Sequence, residues 1–102
     1  MHPKEKRLED PKYLLHLREQ PCIVSGHYAT DTLAVDPSHV GTRGRGIKND
    51  DHLALPLRHD LHAKLHQHGE ATFYRENLPD YVIMLCVKAY CREQYEAWKA
   101  GK

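Results

Sequence analysis

A chain of 102 residues, 40% hydrophobic and 28% charged, has room for one domain with a small core. Its net charge of +1 gives no global argument for a polyanionic partner, and no apolar run approaches the roughly 20 residues of a membrane span. The start Met1-His2-Pro3-Lys4 leads into no apolar segment of the signal-peptide kind, so the expectation is a cytoplasmic protein with no membrane partner. Three cysteines at scattered positions, Cys22, Cys86 and Cys91, are not a disulfide framework and read as small apolar residues. Nine histidines make metal or proton chemistry worth testing.

Residues 1–9 are polar and read as a flexible N-terminus; residues 10–102 read as a single domain. Asp10-Pro11 has the form of an N-cap followed by proline at the first helical position. Tyr13, Leu14 and Leu17 then mark a short amphipathic helix that stops before Pro21. Residues 22–24 are a short strand candidate, 26–31 a turn, and 32–40 a second strand bent near Pro37. The glycines of segment 41–46 make it a loop, and from Gly41 to Lys48 it carries Arg43, Arg45 and Lys48 with no acid. Leu57, Leu61 and Leu65 recur every four residues and predict a helix over about 57–67, closed near Gly69. A short helix over 70–76 follows. Pro79-Asp80 opens a last helix running to about Lys99.

The histidine helix holds the most specific chemistry. His62 and His66 lie one turn apart on one flank, about 6 Å between Cβ atoms, so their imidazoles can converge on one cation. His59 extends the row, but seven residues from His66 is about 10.5 Å along the axis, too far for all three rings to meet at one ion. The pair is not a zincin motif, because Ala63 stands where glutamate is needed. The glycine loop is not a P-loop, because Asn49 follows Lys48. The bland alternatives are two solvated helix histidines and a plain charged loop.

The order of these pieces resembles the HNH, or His-Me finger, nucleases, most closely the small phage and prophage type. The residues that carry the likeness are Pro21-Cys22-Ile23-Val24-Ser25-Gly26, then Asp36-Pro37-Ser38-His39-Val40, the loop 41–48, Asp51, Pro56-Leu57-Arg58, His62, His66, Gly69-Glu70 and Phe73. The likeness covers roughly residues 10–75, with a motif core of about 22–68. It implies an α+β fold with a small ββα-metal core and flanking N- and C-terminal helices. It also implies one divalent ion (Mg²⁺, Mn²⁺, Ni²⁺ or Zn²⁺), DNA as partner and substrate, and a bacterial host cell.

On that resemblance His39 is the general base, with its ring toward the histidine helix. His62, His66 and Asp36 hold the metal, and Arg43, Arg45 and Lys48 hold phosphates. Ser38, Asp51 and His59 are supporting residues. The chain also departs from the pattern. Ser25 and Arg58 stand where relatives often have cysteines, which implies that an accessory structural zinc is missing. Ser38 stands where an acid or histidine usually precedes the base. Asp36, on the same strand face as Ser38, then supplies the carboxylate; otherwise His39 is itself a ligand and another group activates water. Asp51 best matches the middle asparagine of the motif, with Asn49 and Asp50 as alternatives. The expected function is metal-dependent hydrolysis of DNA phosphodiester bonds. The alternative is a catalytically inactive, metal-stabilised module that binds nucleic acid or protein.

Overall fold

The computed structural model describes residues 9–41 and 50–101. The chain is a small α+β fold: α1 (Pro11–Arg18), β1 (Val35–His39), β2 (Ala54–Arg58), α2 (His59–His68), α3 (Glu70–Asn77), α4 (Asp80–Met84) and α5 (Val87–Ala100). Arg43, Arg45, Lys48 and Asn49 lie outside the described residues.

The start of α1 follows its sequence signals. The Asp10 carboxylate accepts the Tyr13 N–H at 3.2 Å and Pro11 occupies the first turn, where its missing N–H costs nothing. Tyr13 and Leu17, four apart, are 1% and 4% exposed.

The strands differ from the expectation. Residues 22–24 form no strand but enter a turn. The Gly26 N–H returns to the Cys22 carbonyl at 2.8 Å, and Gly26 itself has φ +75°, a conformation glycine reaches without a Cβ clash. The second strand is shorter than expected, Val35–His39, and its partner is β2. β2 covers the first residues of the expected histidine helix, so Leu57 and Arg58 are strand residues and the helix begins at His59. The four-residue spacing of Leu57, Leu61 and Leu65 is genuine. It arises because a strand end and the helix that follows without a loop face the same core, where all three are buried.

β1 and β2 are antiparallel, with Asp36 opposite Leu57, Ser38 opposite Leu55 and His39 opposite Ala54. Directly opposed residues share a sheet face. One face carries Leu55 and Leu57 into the larger core with Leu61, Leu65, Phe73, Val82 and Cys91. The other carries Ala54 into a cluster with Tyr13, Leu17 and Tyr95. α1 with Tyr95 of α5 thus covers one face of the hairpin and α2 the other, while Cys91 of α5 reaches the larger core.

The expected last helix is divided. Cys86 has φ +66°, the positive-φ residue other than glycine among those described, and it separates α4 from α5. Neither glycine nor proline marks the break. Val82 and Cys91 on either side are both fully buried, so the bend lets two short helices reach one core. Among the described residues no helix is long and apolar enough to cross a membrane.

Candidate functional site

The His59 N–H donates to the Ala34 carbonyl at 2.9 Å, which ties the first residue of α2 to the start of β1. With Leu61 and Leu65 turned into the core, His62 is half-buried on the flank above the hairpin and His66 is exposed. Asp36, opposite Leu57, points to that same side. Its Oδ2 contacts Nδ1 of His59 at 2.7 Å and Nδ1 of His62 at 3.1 Å. Burial pushes the Asp36 carboxyl up, but the hydrogen bonds from His59 and His62 outweigh it and hold it below the ordinary carboxylate value. The rings of His62 and His66 lie 4.7 Å apart. The structure therefore places His62 beside both Asp36 and His66, and adds His59 to Asp36. Among the described residues no group of three or more His, Cys, Asp or Glu forms a set that could hold a metal ion as it stands.

Ser38 lies two residues along the same strand face. It is 1% exposed, and its hydroxyl has no hydrogen-bond partner among the described residues. A buried hydroxyl without a partner is uncommon and calls for a reason.

His39 is the last residue of β1, as expected, but its ring does not face α2. It shares the face of Ala54, on the side of α1 and α5, because strand parity sets it opposite to Asp36 and Ser38. There Nε2 of His39 lies 2.9 Å from Oδ1 of Asp51. The Asp51 carboxylate is 4% exposed, and its Oδ2 accepts the Asp10 N–H at 2.8 Å. Asp51, one of the three candidates named from the sequence, thus touches His39. With the Asp51 carboxylate on Nε2, a neutral His39 carries its proton on Nε2 and its lone pair on Nδ1.

Two further contacts frame the site. The Gly41 N–H donates to Oε1 of Glu70 at 2.7 Å, which pins the start of the basic loop to the first turn of α3. The Cys22 thiol accepts the N–H groups of Ser25 at 3.5 Å and Arg58 at 3.3 Å. Burial raises the Cys22 thiol, but the side chain of Ser25 and the backbone N–H groups of Ser25, Arg58 and Val24 together hold it below the ordinary value. Cys22, Ser25 and Arg58 are therefore grouped around one sulfur. Arg58 directs its guanidinium away, onto Asp60 at 2.6 and 3.0 Å.

A cavity of about 270 Å³ lies elsewhere, lined by Tyr13, His16, Pro56, Tyr81, Tyr90 and Gln94 among others. None of the candidate catalytic or metal residues lines it.

Over residues 1–77 the sequence matches the model of a family described as a protein of unknown function, DUF968. This chain belongs to the DUF968 family. No curated protein and no solved structure matches it. The DUF968 match takes in α1, the hairpin, α2 and α3, and so holds every candidate residue; α4 and α5 lie beyond it.

Two residues at this site carry no functional signal in the sequence. Asp10 is legible only as a helix cap and Tyr95 only as part of the last helix. The structure gives both a second contact, the Asp10 N–H to Asp51 and the Tyr95 phenol to Oδ2 of Asp10 at 2.7 Å. No spacing in the sequence signals either.

Proposed function

We propose that this DUF968 protein is a metal-dependent nuclease of the His-Me finger type, acting on phosphodiester bonds of DNA. The observation that carries the reading is the pairing of Asp36 on the strand with His62 on the helix, three residues before a strand-end His39 that is braced by Asp51. A hairpin running straight into a helix is the arrangement that a ββα-metal core requires.

The donor chemistry suits a divalent ion. One carboxylate and two imidazoles are a borderline set that Zn²⁺, Ni²⁺ and Mn²⁺ accept. The Ser38 hydroxyl, without a partner among the described residues and on the Asp36 face, favours a ligand there. The residues that would hold the ion are Asp36, His62 and His66. When bound, it supplies positive charge that stabilises a phosphate oxygen and the departing oxygen.

His39 takes a proton from water at Nδ1, the nitrogen that Asp51 leaves free. The buried Asp51 carboxylate holds the ring through Nε2. Three residues of extended strand separate His39 from Asp36, about 10 Å between Cα atoms. Two side chains reaching toward one phosphodiester from the strand end span such a gap. Arg43, Arg45 and Lys48, beyond the described residues, supply charge for neighbouring phosphates.

A second reading has its own support. His39 and Asp36 lie on opposite faces of β1, and Ser38 replaces the usual acid, which favours a metal-stabilised binding module without catalysis. Supercoiled and single-stranded DNA, each with Mg²⁺, Mn²⁺, Ni²⁺ or Zn²⁺, separate the two. The nuclease reading expects cleavage that falls about 100-fold or more in His39→Ala, while metal and DNA binding persist. DNA binding with no cleavage under any ion leaves the binding module.

A further inference from the structure

A line of hydrogen bonds runs from α5 to the candidate base. The Tyr95 phenol donates to Oδ2 of Asp10 at 2.7 Å. Oδ1 of Asp10 accepts the Tyr13 N–H at 3.2 Å, so the same carboxylate caps α1. The Asp10 backbone N–H donates to Oδ2 of Asp51 at 2.8 Å, and Oδ1 of Asp51 meets Nε2 of His39 at 2.9 Å. Four residues from four separate segments are thus joined in sequence, and Tyr95 lies outside the segment that the family match covers.

We infer that Tyr95 and Asp10 are positioning residues, which fix the Asp51 carboxylate and through it the orientation and tautomer of the His39 ring. This rests on His39 being the base of the proposed nuclease, and it extends that reading to a helix the nuclease motif does not include.

The physical argument is one of restraint. A buried carboxylate orients an imidazole only if the carboxylate is itself held. Asp51 is held in part by a backbone N–H whose position depends on Asp10. Asp10 caps α1, where a helix end frays, and Tyr95 clamps it from a separate helix. The Tyr95 ring is fixed in turn by edge contact with Tyr13 at 4.8 Å and packing beside Trp98 at 6.0 Å. Burial, then the hydrogen bond to Asp10, then the carboxylates of Asp10 and Asp51 push the Tyr95 phenol up to about 12. It therefore remains a donor throughout the working pH range.

The test uses Tyr95→Phe, which removes the hydroxyl and keeps the ring packing, and Asp10→Ser, which keeps a cap yet is too short to reach the phenol. Nitrogen-resolved NMR of the imidazoles reads the His39 ring without any cleavage assay. In the wild type His39 should show one tautomer with a slowly exchanging Nε2 proton. Both variants should shift that signal toward a mixture and speed its exchange. Where cleavage is measurable, each variant should lower kcat about 5–10-fold, the loss expected for one hydrogen bond, with KM little changed. Combined with Asp51→Asn, Tyr95→Phe should add little, because both act on one chain of contacts. An unchanged His39 signal in folded Tyr95→Phe and Asp10→Ser overturns the inference, whether or not the protein cuts DNA. A protein that cuts nothing but shows the shift retains the positioning network and loses the nuclease reading.

Discussion

Ser38→Ala should make this protein more stable, and the structure sets the size of the gain. Ser38 is 1% exposed, and its hydroxyl has no partner among the described residues. A buried unsatisfied polar group costs about 1–3 kcal/mol, which alanine removes. The void left by one oxygen returns a few tenths of that, about 0.3 kcal/mol, at roughly 24 cal/mol per Å³. The net expectation is a stabilisation of about 1 kcal/mol or more. In a domain of this size that is a rise in Tm of roughly 4–8 °C. Urea unfolding followed by circular dichroism measures it, with the midpoint moving and the slope unchanged. If Ser38 belongs to the site, the gain comes with weaker binding of Zn²⁺ or Mn²⁺, because the hydroxyl was kept for a ligand. A Ser38→Ala variant less stable than wild type refutes the reasoning, since the hydroxyl must then be bonded in solution. Greater stability with unchanged metal affinity removes Ser38 from the site.

Three more outcomes follow from the same geometry. His62→Ala and His66→Ala should each weaken Zn²⁺, Ni²⁺ or Mn²⁺ binding by about tenfold or more in calorimetry, while exposed His68→Ala should not; equal affinity in the His62, His66 double variant would place the ion elsewhere. Among the thiols, Cys86 should react first with a disulfide reagent, because it is exposed and the N–H groups of Lys88 and Ala89 lower its pKa, whereas buried Cys91, which burial pushes up to about 12, should react only on unfolding. Neutralising Arg43, Arg45 or Lys48 should reduce the slope of log K against log salt for DNA by up to roughly 1 each, and a changed sequence preference at constant slope would point to base readout instead.

Much of the helical framework was legible because local chemistry dictates it. The Asp10-Pro11 start of α1, the glycine end of α2 at Gly69 and the short α3 each rest on residues whose backbone preference is strong. The hairpin was harder, because strand pairing is a non-local choice. Ala54 to Arg58 pairs with Val35 to His39 across the basic loop, and the apolar spacing of Leu57 with Leu61 and Leu65 looks helical in isolation. Cys22-Ile23-Val24 fits a strand by composition. Its backbone and thiol are instead occupied by His27, Pro56, Ser25 and Arg58, partners up to 36 residues away. The break at Cys86 had no residue to announce it.

The candidate site divides along the same line. Asp36, His39, His62 and His66 could be proposed as a site in advance because residue type and spacing point to that chemistry. Their mutual orientation could not. The assignment of Asp36 and Ser38 to one face and His39 to the other follows from strand parity once β1 is bounded. Its consequence, that His39 turns toward α1 rather than α2, depends on which helix covers which face. That arrangement brings Asp51, Asp10 and Tyr95 into one line with His39, across 85 residues between Asp10 and Tyr95. A phenol that packs and a cap that caps already have sufficient local reasons to exist, so sequence supplies no reason to seek a second one. The polar contact between them is a property of tertiary packing, and it ties the proposed base His39 to how firmly α5 closes over α1.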